Sequence, residues 1–203
     1  TNPAEVQRMI QGDGKDYDLL TKWAKGFDCQ NHLSCEIGVR EGLGSKIIMD
    51  NVCNNYIHVG VDPYANLSYQ HYDRTYTKDW SEHRRGKITA NYTDEMRDTM
   101  LKDFYEYRNN GKFKLANMTD SLFMSHPDHQ DMVFAFVHFD GPHMTKDVIT
   151  EAVWFANRSA PHARFVFDDQ NKFEMSVVAH ALTFFDFKTI EMGDTKVCLE
   201  KKL

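Results

Sequence analysis

The chain has 203 residues, of which 41% are hydrophobic and 27% charged, so it can bury an apolar core and is not a disordered chain. Its formal charge of -6 disfavours a dedicated nucleic-acid binder. No apolar stretch approaches the ~20 residues that span a bilayer, and no N-terminal apolar run resembles a signal peptide. We expect a single domain, in the cytoplasm and without membrane contact.

The cysteines predict no disulfide framework and no zinc site. Only 4 are present, and they are widely scattered. Cys29, His32 and Cys35 stand three residues apart, but a tetrahedral zinc site needs a fourth ligand, and Cys35 lies in a predicted strand. Reduced structural thiols are the simpler interpretation, and they agree with a cytoplasmic protein.

The predicted elements of the first half begin with a helical segment within residues 1–30. An apolar run then predicts a strand over 33–39, followed by a glycine-rich turn and a helix over 45–52. A β-branched run predicts a second strand over 56–61, which ends at Asp62 and Pro63. A third, weaker strand is predicted over 112–116.

The second half continues the alternation of strands and helices. The run VFAFVHF predicts a strand over 133–139, and a wide apolar face predicts a helix over 146–156. A strand over 164–167, a helix over 172–182 and a hairpin of 184–190 with 195–200 follow. This order predicts an α/β fold: a doubly wound, mostly parallel seven-stranded sheet with helices on both faces and a C-terminal antiparallel hairpin.

Acidic residues follow several of the predicted strands, at the sheet edge where open α/β sheets bind ligands. They are Glu36, Asp62, Asp140, Asp168 and Asp169. These groups would repel one another unless a cation or a hydroxyl-rich ligand lay among them. A carboxylate at Glu36 suits a ligand with an ammonium or sulfonium group, and Asp62 stands where an acidic residue binds ribose hydroxyls.

The glycines of the first loop do not match the dinucleotide fingerprint GxGxxG. Counted from Gly42, Gly44 fits, but Ile47 occupies the third glycine position. This disfavours a nicotinamide-dependent oxidoreductase. The glycines taken alone could also serve only a tight turn from strand to helix.

The ordered set of motifs resembles class I S-adenosylmethionine-dependent methyltransferases, which implies a Rossmann-like fold. ExGxxxGxGS over residues 36–45 and the following Asp62 look like their motifs I and II. The DGxHxxxxV element over 140–148 and the strand that ends in Asp168 and Asp169 are similar to the branch that includes macrocin-type sugar O-methyltransferases. The similarity extends over residues 33–172.

The resemblance also implies the residues that bind the cofactor. The methionine end of S-adenosylmethionine would lie at the first loop, the ribose at Asp62, and the adenine beside the segment 118–121. The implied cofactor contacts are Glu36, Gly38, Val39, Arg40, Gly42, Ser45, Asp62, Thr119, Asp120, Ser121 and Asp140.

Asp140, Asp168 and Asp169 predict a site for Mg²⁺, because hard oxygen donors suit Mg²⁺ or Ca²⁺ rather than zinc. Such an ion would lower the pKa of an acceptor hydroxyl, with His143 as the base and Asp140 beside it. Alternatively, Asp169 could cap the following helix, Asp140 could contact only the cofactor's amino group, and His143 could only donate a hydrogen bond to the substrate. His138 shows no ligand spacing and is predicted to be an ordinary surface or core residue.

Residues 64–114 form a longer connection than usual and contain seven of the 9 tyrosines, Trp80 and the basic cluster 84–87. They predict helices and either a substrate cover or a homo-oligomer interface. A polyhydroxylated or anionic acceptor could stack on the tyrosines and bind Arg84 or Arg85.

The sequence therefore predicts a methyltransferase that uses S-adenosylmethionine and Mg²⁺ to O-methylate a small hydroxylated molecule, with S-adenosylhomocysteine as the product. Nucleic acid and membranes are not among the expected partners. Two alternatives remain open: a metal-independent methyltransferase for another acceptor, and a non-catalytic S-adenosylmethionine-binding module.

Overall fold

The computed structural model describes residues 10, 12, 14–53, 56–64, 68–69, 88–89 and 93–202. Helices and strands alternate through most of this range. In chain order the elements are α1 (Tyr17–Ala24), β1 (Leu33–Ile37), α2 (Leu43–Asn51), β2 (His58–Val61), β3 (Ser68–Tyr69), β4 (Ile88–Thr89), α3 (Asp94–Asp103), α4 (Tyr105–Asn109), β5 (Phe113–Ala116), α5 (Asp120–Ser125), β6 (Phe134–Phe139), α6 (Thr145–Ala156), β7 (Ser159–Phe167), α7 (Met175–Thr183), β8 (Phe187–Met192) and β9 (Val197–Lys201).

Seven strands form one sheet in the order β5-β2-β1-β6-β7-β9-β8, while β3 and β4 form a separate short ribbon. The first five strands of the sheet are parallel, and β9 pairs antiparallel with both β7 and β8. The predicted fold class is confirmed: a doubly wound, mostly parallel seven-stranded sheet with a C-terminal antiparallel hairpin.

The two sheet faces bury different helices because successive strand residues alternate between them. Val137 and Phe165 belong to the larger core, with apolar residues of α6 and α7. Phe136 and Val166 pack on the opposite face, with Trp23 of α1 and apolar residues of α2. The strongly apolar run that predicted β6 is therefore buried on both of its faces.

Several predicted boundaries differ from the structure for local reasons. The first strand ends at Ile37, not at residue 39, because Gly38 turns to a φ of 84°. Strand β7 is longer than predicted, since residues 160–163 bulge out of the ladder with β6 and accommodate Pro161. Helix α7 begins at Met175, later than the predicted residue 172.

Part of the predicted organisation lies outside the described residues. The first predicted helical positions, before residue 10, belong to this part, as do Trp80 and the basic cluster 84–87. The described part of the 64–114 segment does contain helices, α3 and α4. None of the described helices combines the length and apolarity needed to cross a membrane.

Candidate functional site

The register of the sheet collects the candidate residues at one edge. The last residues of β1, β2, β6 and β7 are aligned with one another and with the first residue of β9. The antiparallel strand β9 thus begins where its parallel neighbours end. The next residues outward are Gly38, Asp62, Asp140, Asp168 and Lys196.

The loop after β1 lies directly against the loop after β6. A Cβ atom at Gly38 would overlap the carbonyl oxygen of Asp140, and φ at Gly38 is 84°. The Asp140 amide in turn donates to the Ile37 carbonyl over 2.9 Å. Only glycine satisfies both conditions at position 38, so the two loops are held together by their backbones.

Glu36 is buried beneath this loop rather than exposed at the edge. Its Oε2 accepts a short hydrogen bond from the Ser45 hydroxyl, and its Oε1 lies 2.7 Å from His138 Nδ1. Burial raises the pKa of Glu36 to about 8, while the bond from Ser45 and the charge of Lys196 oppose this shift. The predicted contact of Glu36 and Ser45 with the methionine end stays a prediction, since both side chains here support the loop from below.

A buried histidine extends the hydrogen-bonded chain along the sheet. His58 Nε2 lies 2.9 Å from the Ser45 hydroxyl, and its Nδ1 lies 2.8 Å from the Ser34 hydroxyl. Burial, reinforced by His138, lowers the pKa of His58 to about 3. Burial and the charge of Lys196 likewise lower the pKa of His138 to about 3. Both imidazoles are therefore neutral at physiological pH.

Asp62 is enclosed by the backbone of two loops. Its Oδ2 accepts from the Arg40 amide over 2.9 Å, and its Oδ1 accepts from the Tyr64 amide over 3.0 Å. The Tyr64 hydroxyl donates to the Arg40 carbonyl over 2.6 Å. Burial raises the pKa of Asp62, and these amide donors oppose the shift. Asp62 is only 1% exposed and both of its oxygens accept backbone hydrogen bonds, so the predicted ribose contact would require these surroundings to open.

Apolar residues of the 64–114 segment cover the glycine loop. Val39, Tyr64, Met100 and Phe104 belong to one buried cluster. A Cβ atom at Gly42 would lie 2.6 Å from the ring of Phe104, which shows how closely this cover approaches the loop. The described part of the segment thus lies over the predicted cofactor loop; its role as a substrate cover or an oligomer interface stays a prediction.

The predicted adenine contacts lie at the start of α5, next to β2. Thr119 caps this helix by accepting from the Leu122 amide over 3.3 Å, and its hydroxyl lies 3.2 Å from that of Ser121. Asp120, in the first turn, lies beside the buried Glu151 of α6. Burial and the Asp120 carboxyl raise the pKa of Glu151 well above its ordinary value. The sequence pattern did not single out Glu151, because it is one polar residue of a predicted amphipathic helix.

His143 lies between two carboxylates at the sheet edge. Its Nε2 is 3.9 Å from Asp140 Oδ1, and its Nδ1 is 3.9 Å from Asp169 Oδ2. The imidazole is nearly buried and stacks on Phe173. These separations exceed a direct hydrogen bond. Asp169 does not cap α7, since that helix begins at Met175 after an N-cap at Glu174. The structure therefore brings three of the predicted site residues together, His143 and the two carboxylates beside it.

Asp168 differs from the prediction, because its carboxylate already has a cation. Lys196 Nζ lies 2.5 Å from Asp168 Oδ2, and both side chains are buried. Asp168 Oδ1 accepts from the Asp169 amide over 2.8 Å. A divalent ion held by Asp140, Asp168 and Asp169 would lie close to the Lys196 ammonium and would compete with it for Asp168. In this arrangement the three carboxylates do not fit the predicted Mg²⁺ site.

Another group of possible metal ligands lies deeper in the sheet. Within the described part of the chain, Glu36, His138 and Asp140 bring potential ligand atoms within 4.8 Å of one another. His138 is a buried core residue, one of the two positions that the sequence allows, but its Nε2 has no hydrogen-bond partner among the described residues. Glu36 and His138, however, already bind each other.

The sequence matches no family model and no curated protein, but the fold is shared with solved methyltransferases. The O-methyltransferase NovP is 12% identical with a TM-score of 0.62, and the alignment covers 92% of this chain and 79% of NovP. The O-methyltransferase TomG from Streptomyces achromogenes, solved with S-adenosylmethionine, is 12% identical with a TM-score of 0.57 and coverages of 96% and 82%.

A third similar structure acts on a different kind of acceptor. It is the ribosomal protein L11 methylase from Lactobacillus delbrueckii subsp. bulgaricus, which is 10% identical with a TM-score of 0.54 and coverages of 92% and 76%. At such low identity the likeness shows the fold alone. The chain thus has the Rossmann-like fold of these methyltransferases, and this fold does not by itself specify the methyl acceptor.

Proposed function

We propose that this protein transfers the methyl group of S-adenosylmethionine to a hydroxyl oxygen of a small molecule, without a divalent metal ion. The position of His143 between Asp140 and Asp169 is the main support for this proposal. This arrangement occurs at the ligand-binding edge of a sheet whose fold is shared with O-methyltransferases.

The residues at this edge fit a cationic cofactor. S-adenosylmethionine supplies an activated methyl group on a positively charged sulfur. The carboxylates of Asp140 and Asp169 are partly exposed beside the Gly38 loop and would attract this charge. Asp62 remains the proposed partner of the ribose, and Thr119, Asp120 and Ser121 remain the proposed adenine contacts.

His143 supplies the base that O-methylation needs. In the proposed reaction its Nε2 accepts the proton that the acceptor hydroxyl loses, while its Nδ1 proton points toward Asp169 Oδ2. The positive charge that develops on the imidazole is stabilised by Asp140 and Asp169 on either side. The overall reaction breaks one carbon–sulfur bond and forms one carbon–oxygen bond, giving the methyl ether, S-adenosylhomocysteine and a protonated imidazole.

The ion pair of Lys196 with Asp168 supports a reaction without a metal ion. The sequence favours a metal-assisted reaction, but the buried Lys196–Asp168 ion pair removes one of the three predicted ligands. A hydroxyl acceptor is supported by the motif similarity and by the fold shared with the O-methyltransferases NovP and TomG. We propose a small acceptor because the formal charge of -6 disfavours a nucleic-acid acceptor.

A labelled-methyl assay tests the proposal. Purified protein is incubated with S-adenosylmethionine carrying a radioactive methyl group and with a panel of phenols, catechols, sugars, amines and proteins, with and without EDTA. We expect transfer to at least one hydroxyl compound, at an equal rate in EDTA. Cofactor binding is measured separately by calorimetry.

Each result has a distinct meaning. Binding of S-adenosylmethionine without product for any acceptor would support the binding-module alternative. Transfer to nitrogen or protein acceptors only would contradict the hydroxyl acceptor. The absence of cofactor binding would overturn the proposal as a whole.

A further inference from the structure

Lys196 is a buried cation that the proposed function uses only as the partner of Asp168. Its side chain is 0% exposed, and its ammonium lies 2.5 Å from Asp168 Oδ2. The same ammonium lies 4.9 Å from the centre of the Tyr17 ring, a cation–π distance. A lysine is almost never fully buried unless it is paired, so this position depends on Asp168.

We infer that Lys196 is the resident cation of this centre and takes the place that a divalent metal ion would occupy at Asp168. This inference rests on the proposed function for its catalytic meaning, but the cation position can be tested without turnover. Lys196 is a positioning residue, because it acts on the site through Asp168.

Contacts connect Lys196 to the proposed base. Asp168 binds Lys196 with Oδ2 and accepts the Asp169 amide with Oδ1 over 2.8 Å. This hydrogen bond accompanies a left-handed φ of 48° at Asp169, a conformation that few non-glycine residues adopt. The turned backbone places Asp169 Oδ2 3.9 Å from His143 Nδ1. Lys196 therefore fixes the carboxylate that orients the proposed base.

The N-terminal segment holds the lysine in place from the other side. Asp16 Oδ2 accepts the amide of Thr195 over 2.7 Å and that of Lys196 over 3.3 Å. Gly14 lies against Asp168, since a Cβ atom there would be 3.1 Å from Asp168 Oδ2. The ion pair is thus enclosed by a separate part of the chain, unlike a surface contact.

Manganese binding to the apo protein tests the inference. The free Mn²⁺ signal in electron paramagnetic resonance is followed during titration with wild type, Lys196→Met and Lys196→Arg. We expect no micromolar site in the wild type or in Lys196→Arg. We expect Lys196→Met to gain one, because Asp168 is then available beside Asp140 and Asp169. Lys196→Gln serves as a second uncharged variant, and both uncharged variants should melt at a higher temperature with Mn²⁺.

The double variant Asp168→Asn/Lys196→Met identifies the ligand, because the gained site should disappear again. If Lys196 only stabilised the fold, its removal would not create a metal site. A Mn²⁺ site gained by Lys196→Met therefore distinguishes a positioning role from a general structural role. A micromolar Mn²⁺ site in the wild type that Asp168→Asn removes would overturn the inference. The inference would also be overturned if the uncharged variants bound no Mn²⁺, or if they remained unfolded in its presence. None of these readouts depends on methyl transfer.

Discussion

Glu36 Oε1 lies 2.7 Å from His138 Nδ1, and both side chains are buried beneath the loop that follows β1. Burial raises the pKa of the carboxyl to about 8 and lowers that of the imidazole to about 3. The raised pKa makes the free energy of unfolding fall as pH rises, and the lowered pKa makes it increase as pH rises. Each effect acts between the ordinary and the shifted pKa of its group.

The first prediction concerns Glu36→Gln. Between its ordinary pKa of 4.5 and about 8, Glu36 holds its proton in the folded state but loses it in the unfolded state. The free energy of unfolding should therefore fall as pH rises through this range. His58 and His138 act in the other direction, but only below their ordinary pKa of 6.5. Urea unfolding between pH 6.5 and 8 should show a smaller decline for Glu36→Gln than for wild type.

The control for this experiment is Glu106→Gln, which changes an exposed carboxyl on α4. Its stability should follow pH as the wild type does. Parallel curves for wild type and Glu36→Gln would show that Glu36 does not hold the proton in the folded state.

The second prediction concerns His143→Asn. If His143 is the base, methyl transfer should slow by roughly 10²–10⁴-fold. Affinity for S-adenosylmethionine should be nearly unchanged, because the substitution keeps a polar side chain and leaves the glycine loop intact. His180→Asn, an exposed substitution on α7, provides the matched control and should transfer normally. Equal rates in the two variants would remove His143 from the reaction.

The third prediction concerns Asp62→Asn. The new amide would direct an N–H group at the Arg40 or Tyr64 amide, so a hydrogen bond to a charged acceptor is lost. We expect the free energy of unfolding to fall by about 1–3 kcal/mol. A ribose contact of similar strength predicts a cofactor dissociation constant about tenfold higher or more. Calorimetry and urea unfolding separate the two effects, with the exposed Asp103→Asn as the control. A loss of stability with unchanged cofactor affinity would refute the ribose contact.

The fourth prediction compares Gly38→Ala with Gly111→Ala. Both glycines have a positive φ, of 84° and 76°, but only Gly38 lacks room for a Cβ atom. Gly111→Ala should lower the free energy of unfolding by about 1–2 kcal/mol through backbone strain alone. Gly38→Ala should lower it by roughly 1–3 kcal/mol more, because the methyl group overlaps the Asp140 carbonyl. Similar losses in thermal or urea unfolding would show that the two loops can separate at low cost.

The sequence was most informative where a local pattern determines the structure. The alternation and apolar runs of β1, β2 and β6 predicted their positions, and the terminal Asp62 and Asp140 were correctly placed at one edge. The C-terminal hairpin also followed from its local pattern. These features depend on residues close together in the chain, so sequence periodicity records them.

The interactions within the site depend on long-range pairing and were harder to predict. Lys196 is 28 residues after Asp168 in the sequence. The two side chains are in contact only because β9 pairs with β7. The sequence placed Lys196 inside the predicted strand 195–200, and nothing in that strand marked it as the partner of Asp168. Glu36 was predicted to bind a ligand, but its neighbours Ser45 and His138 come from other elements that enclose it. No local spacing encodes such burial.

The antiparallel entry of β9 makes the charge at Asp168 sensitive to the length of the hairpin. Neighbouring strand positions point to opposite sides of a sheet, so a one-residue insertion in the Gly193–Asp194 turn that shifted β9 would carry the ammonium to the far side. Relatives of this chain in which β9 is shifted by an odd number of residues would have to neutralise Asp168 by some other means. The parity of the hairpin length therefore decides whether Lys196 lies on the same side of the sheet as Asp168.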